Sequence, residues 1–459
     1  MQTRRGFGAA AAVVVGLSAG AALAAVPGEH LWSRTFGNET RQSVKALAVD
    51  GAGGSVVVGD YLGALDFGAG ALPAPSYYDR AFVARFDASG AVVWSRSFDG
   101  MNGDDLGMYE PGRAVAFDAA GNIVLAGNFA GTLDLGCGPM KGYGDLFVAK
   151  LDAAGHCLAS RSFDGQKFVD SLQVAVDGAG NVVVAGRFNG SVSFGGGTLT
   201  STGYDDPFAV KFDGALQHVW SRAFATGSGL ASTVDVAVDG AGNVVLAGGF
   251  GGSVSFGGAT LSSTGQRDVF VAKLSGSGQH LWSKRFGNAG DQFATGVTTD
   301  AAGNVVLTGG FGGSVGFGGA TLASVGPTDV FLVKLTGAGG HVWSRRFGDA
   351  SGQTGLQVAT DAAGNIVTTG SYAGYIDFGA GPLENEGDSK AYVAKFDATG
   401  AHQWSQAFVN EELQFRAHLG LDGAGDVLLS GSYSGYGWFG GDLFLSEGDS
   451  DIYLAKLGR

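Results

Sequence analysis

Seven phenylalanines, Phe36, Phe98, Phe163, Phe224, Phe286, Phe347 and Phe408, recur at steps of 62, 65, 61, 62, 61 and 61 residues. Most of them close a version of the segment His30–Phe36, seen again at Trp94–Phe98, Trp220–Phe224, Trp282–Phe286, Trp343–Phe347 and Trp404–Phe408. A period this long, with several strand-like runs inside it, means one supersecondary unit repeated, each copy burying its apolar faces on its neighbours. The first copy, His30–Phe36, is only the last quarter of a unit. The final unit stops at Ala455-Lys456-Leu457-Gly458-Arg459, where that quarter should follow. The two fragments add up to one unit, so the sequence predicts a ring closed by its own ends.

The fourth unit shows what each copy contains. Val234–Val238 is a short β run, and Asp239-Gly-Ala-Gly-Asn243 is a turn in which Asp caps its own backbone and Gly and Asn accept positive φ. Val244–Gly248 is apolar on both faces, as a strand buried on both sides must be. A glycine-rich excursion (251–265) follows, then Asp268–Leu274, a Ser-Gly turn and the outer run Gln279–Phe286. These read as a four-stranded antiparallel sheet. The residue two before each turn Asp is Ala48, Ala116, Ala175, Ala237, Thr298, Ala359 or Gly420, never large, as sheets converging on an axis require. The fold class predicted is all-β: a seven-bladed β-propeller, blades 37–98, 99–163, 164–224, 225–286, 287–347, 348–408 and 409–459 with 30–36.

Residues 1–24 are set apart from this domain (25–459). Thr3-Arg4-Arg5-Gly6-Phe7, a weakly apolar stretch and Ala22-Leu23-Ala24 read as an export signal cleaved after Ala24, and the Arg pair suits a twin-arginine signal as well as an ordinary secretory one. The expected location is the periplasm, cell surface or medium. Without Arg4 and Arg5 the chain has 28 − 2 = 26 basic against 42 acidic residues. Such an acidic surface argues against nucleic acid and against an anionic membrane. No second apolar run reaches the ~20 residues of a membrane span, and a monomer is expected. The two cysteines, Cys137 and Cys157, lie in one unit, so a bridge between them would be local; free thiols are the alternative.

Val236–Gly248 (Val-Ala-Val-Asp-x-Ala-Gly-Asn-Val-Val-Leu-Ala-Gly), Ser253–Gly258 and Asp268–Leu274 resemble the bacterial SBBP β-propeller repeat, with departures at Ala159 and Gly54-Ser55. The resemblance covers 30–459 and implies an exported or cell-surface protein with no shared catalytic activity. Asp87–Trp94 also looks like the tryptophan-docking repeat of quinoprotein dehydrogenases and outer-membrane assembly scaffolds; this chain lacks the eight blades and adjacent cysteine pair of the former.

His30, His218, His280, His341 and His402 each stand two before a repeat Trp, in different blades, so they are expected to pack beside that Trp, not to bind metal. The Trp-x-Arg pairs suit cation–π packing. Asp50, Asp118, Asp177, Asp239, Asp300, Asp361 and Asp422 read as turn caps, and Asp145, Asp206, Asp268, Asp329 and Asp451 as locks at the third strand. No catalytic set and no cofactor can be nominated. The connections between strands 1–2 and 3–4 are uniform, which reads as scaffold. Those between strands 2–3 and between blades vary, and recognition residues gather on such loops. Aromatic, basic and acidic candidates there are Asp104, Asp105, Tyr109, Glu110, Tyr143, Tyr204, Arg267, Tyr375, Glu384, Glu386, Trp438 and Glu447, and Asp449 with Asp451 are the candidates for calcium. The expected function is a non-catalytic exported binding module for a protein or carbohydrate ligand. A propeller lyase or hydrolase working near the axis, and a periplasmic assembly scaffold, are the alternatives.

Overall fold

The computed structural model describes residues 26–75, 79–98, 113–164, 169–203, 205–227, 229 and 231–459. Seven four-stranded antiparallel sheets are arranged as the blades of a propeller, and no helix occurs among the described residues. In the fourth blade Ala231–Val238 pairs with Val244–Phe250, which pairs with Asp268–Leu274, which pairs with His280–Phe286. The two middle strands are buried at every position, the reason for their unbroken Val/Leu/Phe/Ala composition. Alternate residues serve opposite neighbours. Val244 and Leu246 pack with Val183 and Ala185 of the third blade, and Val245 and Ala247 with Val305 and Leu307 of the fifth.

The ring closes as its ends predict. His30–Phe36 lies antiparallel to Asp451–Leu457 as the outer strand of the seventh blade, with Ser33 opposite Ala455 and Phe36 opposite Ile452. The Gly458 N–H also donates to the Glu29 carbonyl at 2.7 Å, and the Gly28 N–H to the Gly458 carbonyl at 3.1 Å. Near the axis, a Cβ on Gly420 would lie 2.2 Å from a Val49 methyl of the first blade, so the small residue expected there is required by contact. No loop separates the sixth and seventh blades. A single strand, His402–Leu421, is the outer strand of the sixth blade and continues without a break as the inner strand of the seventh.

The glycine-rich excursions are not loops standing on one face of the ring. Each leaves the end of the second strand and folds back as a hairpin along the blade toward the start of its outer strand. In the third, fourth and fifth blades these hairpins are Ser191–Ser193 with Thr198–Thr200, Ser253–Val254 with Leu261–Ser262, and Ser314–Val315 with Leu322–Ala323. An inward phenylalanine anchors each against the repeat phenylalanine of the preceding blade: Phe194 on Phe163 at 5.4 Å, Phe256 on Phe224 at 4.8 Å, Phe317 on Phe286 at 5.0 Å. The hairpins thus fill the wedge that opens between radial sheets at the rim. Their polar residues were legible as a connection, but the strands are too short to show a period-2 pattern.

At the hairpin tip a glycine lies beneath the histidine of the outer strand: a Cβ on Gly258 would lie 2.3 Å from the His280 ring, and one on Gly319 equally close to His341. The second blade replaces this contact with the disulfide Cys137–Cys157, Cα atoms 5.5 Å apart. Cys137 stands at the glycine position and Cys157 at the histidine position.

Candidate functional site

Most of the titratable residues are committed to holding the ring. In the fourth blade the Asp239 carboxylate accepts the Ala241 and Asn243 backbone N–H groups at 2.9 Å, the Asn243 side chain at 2.9 Å and the Lys273 ammonium at 2.8 Å. Burial by itself would raise the pKa of this carboxyl, but the lysine and asparagine bonds hold it below the ordinary aspartate value. The same lysine–aspartate pair recurs as Lys150–Asp118, Lys211–Asp177, Lys334–Asp300 and Lys456–Asp422, each at 2.7–2.9 Å, and more loosely as Lys395–Asp361. In the first blade Arg85 takes the lysine's place and Gly54 the asparagine's, because a Cβ at 54 would come within 2.8 Å of the guanidinium.

The histidines do not converge. Each bonds a serine of its own strand, as His280 does Ser283 at 3.1 Å, and rests on its hairpin rather than beside its tryptophan. A register shift between Lys273 and Leu274 falls opposite Trp282 and His280. The tryptophans instead reach the next blade: Trp220 Nε1 donates to the Gly276 carbonyl at 3.0 Å and Trp282 Nε1 to that of Gly337 at 3.0 Å. Arg34, Arg96 and Arg345 lie 5.5–5.8 Å over Trp32, Trp94 and Trp343. Asp206, Asp268 and Asp329 accept backbone N–H groups of the residues preceding the third strand, and Asp268 and Asp329 also pair with Arg285 and Arg346.

Around the axis, side chains four before the turn Asp satisfy the free edge of the next inner strand. Asp235 accepts the Val297 N–H at 2.7 Å and its neighbour Val236 N–H at 2.9 Å; Gln357 accepts the Leu419 N–H at 2.7 Å. Protein surrounds Asp235 although it is partly open toward the axis, and this burial pushes its pKa up to about 6 against the two N–H bonds.

The nominated ligand residues are dispersed. Asp104, Asp105, Tyr109, Glu110 and Tyr204 lie outside the described residues, as does Ala24, and of Glu386 only the backbone is described. Tyr143, Tyr375 and Trp438 are exposed on three different rim hairpins, with Glu384 opposite Tyr375. Glu447 and Asp449 are exposed, whereas Asp451 is buried, accepts the Glu447 N–H at 3.1 Å and is pushed up to about 6 by burial, with Glu447 adding to the shift. Among the described residues no three His, Cys, Asp or Glu side chains are grouped to hold a metal.

Arg267 belongs to a cavity of about 490 Å³. The cavity lies between the third and fourth blades and is lined by Arg187, Asp205, Gly229, Ala231, Ser232, Gly251, Gly252, Gln266 and Arg267. Arg267 is fixed from two sides. Its Nε and NH2 donate to Asp291 at 2.7 and 2.5 Å, and its guanidinium lies 4.4 Å over Phe293, both from the fifth blade. Arg187 donates to the Ala231 carbonyl at 2.8 Å and stands 3.6 Å from Asp205. Arg267 is legible in the sequence as a candidate, whereas Arg187 is not among the candidates. A signal existed: Arg187 occupies the position held by Gly249 and Gly310 in the sister units.

No protein family matches the chain. A WD repeat-containing protein of Acanthamoeba polyphaga mimivirus is 22% identical over 200 residues, 36% of this chain, and the chain spans 14% of that protein's length. Among solved structures, the WD40 domain of Neurospora crassa Pan2 is 8% identical, with 94% of this chain and 98% of that one covered at a TM-score of 0.44. An ulvan lyase is 10% identical, with 91% and 97% covered at 0.48. An α-L-arabinofuranosidase of Fusarium graminearum is 9% identical, with 75% and 92% covered at 0.40. The architecture of this chain rests on its own strand pairing and not on these likenesses. The chain is a seven-bladed β-propeller repeat protein.

Proposed function

We propose that this protein is an exported, non-catalytic propeller of the kind its SBBP-like repeats suggest, and that it binds a saccharide in the cavity between its third and fourth blades. One observation carries this reading: Arg267, held bidentate by Asp291, and Arg187, beside Asp205, meet at a cavity whose remaining wall is half glycine. Each arginine is matched by a carboxylate, so the site gains no net positive charge to draw an anion. It offers fixed planar donors, backbone carbonyls and the Gln266 amide, which suit the hydroxyls of an uncharged sugar. A binding role also fits the way turn aspartates, lysines and histidines are spent on the scaffold, leaving no acid–base pair aimed at a shared point among the described residues. Export rests on Arg4-Arg5 and Ala22-Leu23-Ala24, and the disulfide suits an oxidising compartment.

The test is a glycan array probed with residues 25–459, with and without calcium. Neutral glycans should bind, about tenfold or more weaker to Arg267→Ala, with little change between roughly 0.05 and 0.5 M salt because no net charge is neutralised. Absence of any binding, or binding indifferent to Arg267→Ala, would sink the cavity reading. Export is tested separately by fractionating cells and sequencing the N-terminus, expected at Ala25.

A further inference from the structure

The rim hairpin of the seventh blade departs from its sisters in a way that packing does not require. Its strands run antiparallel with Tyr436 opposite Leu445, Gly437 opposite Phe444 and Trp438 opposite Leu443. Gly437 and Phe444 face inward, Phe444 against Phe439. Strand alternation therefore puts Tyr436, Trp438, Leu443 and Leu445 together on the outer side, where they are 36, 38, 63 and 73% exposed. The first of these opposed pairs is Ser191/Thr200 in the third blade, Ser253/Ser262 in the fourth and Ser314/Ala323 in the fifth.

The apolar residues also displace a stabilising group. At the position of Trp438 the first, second and sixth blades carry Asp66, Asp134 and Asp377, and each accepts two backbone N–H groups of its hairpin turn at 2.7–3.2 Å. Trp438 cannot do this; its indole N–H only donates to the Gly441 carbonyl at 2.8 Å. A turn that forgoes its cap and holds two leucines in water gains nothing for the fold, and contiguous exposed apolar surface marks an interaction site.

Charge selects the occupant. Three exposed carboxylates, Asp442, Glu447 and Asp449, flank Leu443–Leu445 along the chain, and the whole chain carries −14. A second copy of this protein would bring the same carboxylates against them, and an anionic bilayer would be repelled likewise. We propose that the Trp438 platform docks a cationic amphipathic polypeptide segment, its apolar side chains on Trp438, Leu443 and Leu445 and its Lys or Arg residues toward the flanking carboxylates. Four side chains bury far less than the ~1,600 Å² of a standard interface, so the contact is transient and salt-sensitive. It lies on a different blade from the saccharide cavity and does not depend on it.

The experiment titrates residues 25–459 with a synthetic Leu/Lys amphipathic peptide, its Leu/Glu counterpart and phosphatidylcholine vesicles. The Leu/Lys peptide should bind, and binding should fall about tenfold in Leu443→Ser/Leu445→Ser and in Asp442→Asn/Glu447→Gln/Asp449→Asn. Trp438→Asp restores the sister blades' cap, so it should weaken binding with an unchanged or higher melting temperature. The proposal is overturned by equal binding of both peptides, by stronger binding of the vesicles, or by a dimer that Trp438→Asp dissociates. A marked fall in melting temperature for Trp438→Asp would make the tryptophan structural and overturn it as well.

Discussion

Lys273 and Asp239 face each other at 2.8 Å, both nearly buried, and the same ammonium donates to the Gly337 carbonyl of the next blade at 3.2 Å. One lysine thus ties the 1–2 turn to the third strand and the blade to its neighbour. Removing one partner leaves an uncompensated buried charge, so Lys273→Met should cost about 3 kcal/mol, whereas Lys273→Met with Asp239→Asn should recover much of it. Urea denaturation of the two variants checks this; equal losses would show that the charge pairing is not what holds the turn.

Two kinds of aspartate give opposite pH responses. Asp118, Asp177, Asp239 and Asp300 are held below their ordinary value, so their stabilisation is present above about pH 4 and lost as pH falls through the folded value. Asp235 and Asp451 sit at about 6 against an ordinary 3.8, so the folded state binds more protons between those values and stability falls as pH rises across that window. Asp235→Asn keeps an acceptor for the Val297 N–H and removes the charge. It should gain roughly 2 kcal/mol over the parent at pH 7 and nothing at pH 4. Melting curves at the two pH values decide it, and a constant offset would refute the assignment.

Deleting residues 26–37 strips the outer strand from Asp451–Leu457 and leaves that edge open. The melting temperature should drop by more than about 10 °C, with aggregation through the bare strand. A circular permutant that starts at Gly37 and joins Arg459 through a short linker to residues 28–36 should fold, because Gly28 and Gly458 are already hydrogen-bonded. Scanning calorimetry and light scattering on both proteins test the closure.

The disulfide occupies a site that five other blades fill with histidine at the hairpin tip. Cys137→Ser/Cys157→Ser should lose about 3 kcal/mol, the value for a loop of this length. Cys137→Gly/Cys157→His, which rebuilds the Gly258/His280 arrangement, should regain part of that loss. If the rebuilt pair is no more stable than the double serine, the two contacts are not equivalent.

Turn chemistry and strand order were readable because the copies repeat each constraint: Asp239 with Asn243 in five, the small residue at Ala237 in all seven, the tryptophan before Phe286 in six. The rim hairpins were misplaced because Ser253-Val254 and Leu261-Ser262 are too short to show alternation, although Val254 and Phe256, apolar at i and i+2, signal an inward face. The cavity was half visible. Arg267 and Arg187 each break the pattern of their repeat, but nothing along the chain says that residues 80 apart line one cavity, or that Arg267 meets Asp291 across a blade boundary.

The sequence alone determined the blade count, the strand order within each blade and the ring's closure, since these follow from local periodicity and from a unit split between the two ends. Only the tertiary structure decided where the exceptional side chains went. Their positions depend on how far each sheet is displaced around the axis and on the wedge left at the rim, and such contacts between blades leave no period in the chain.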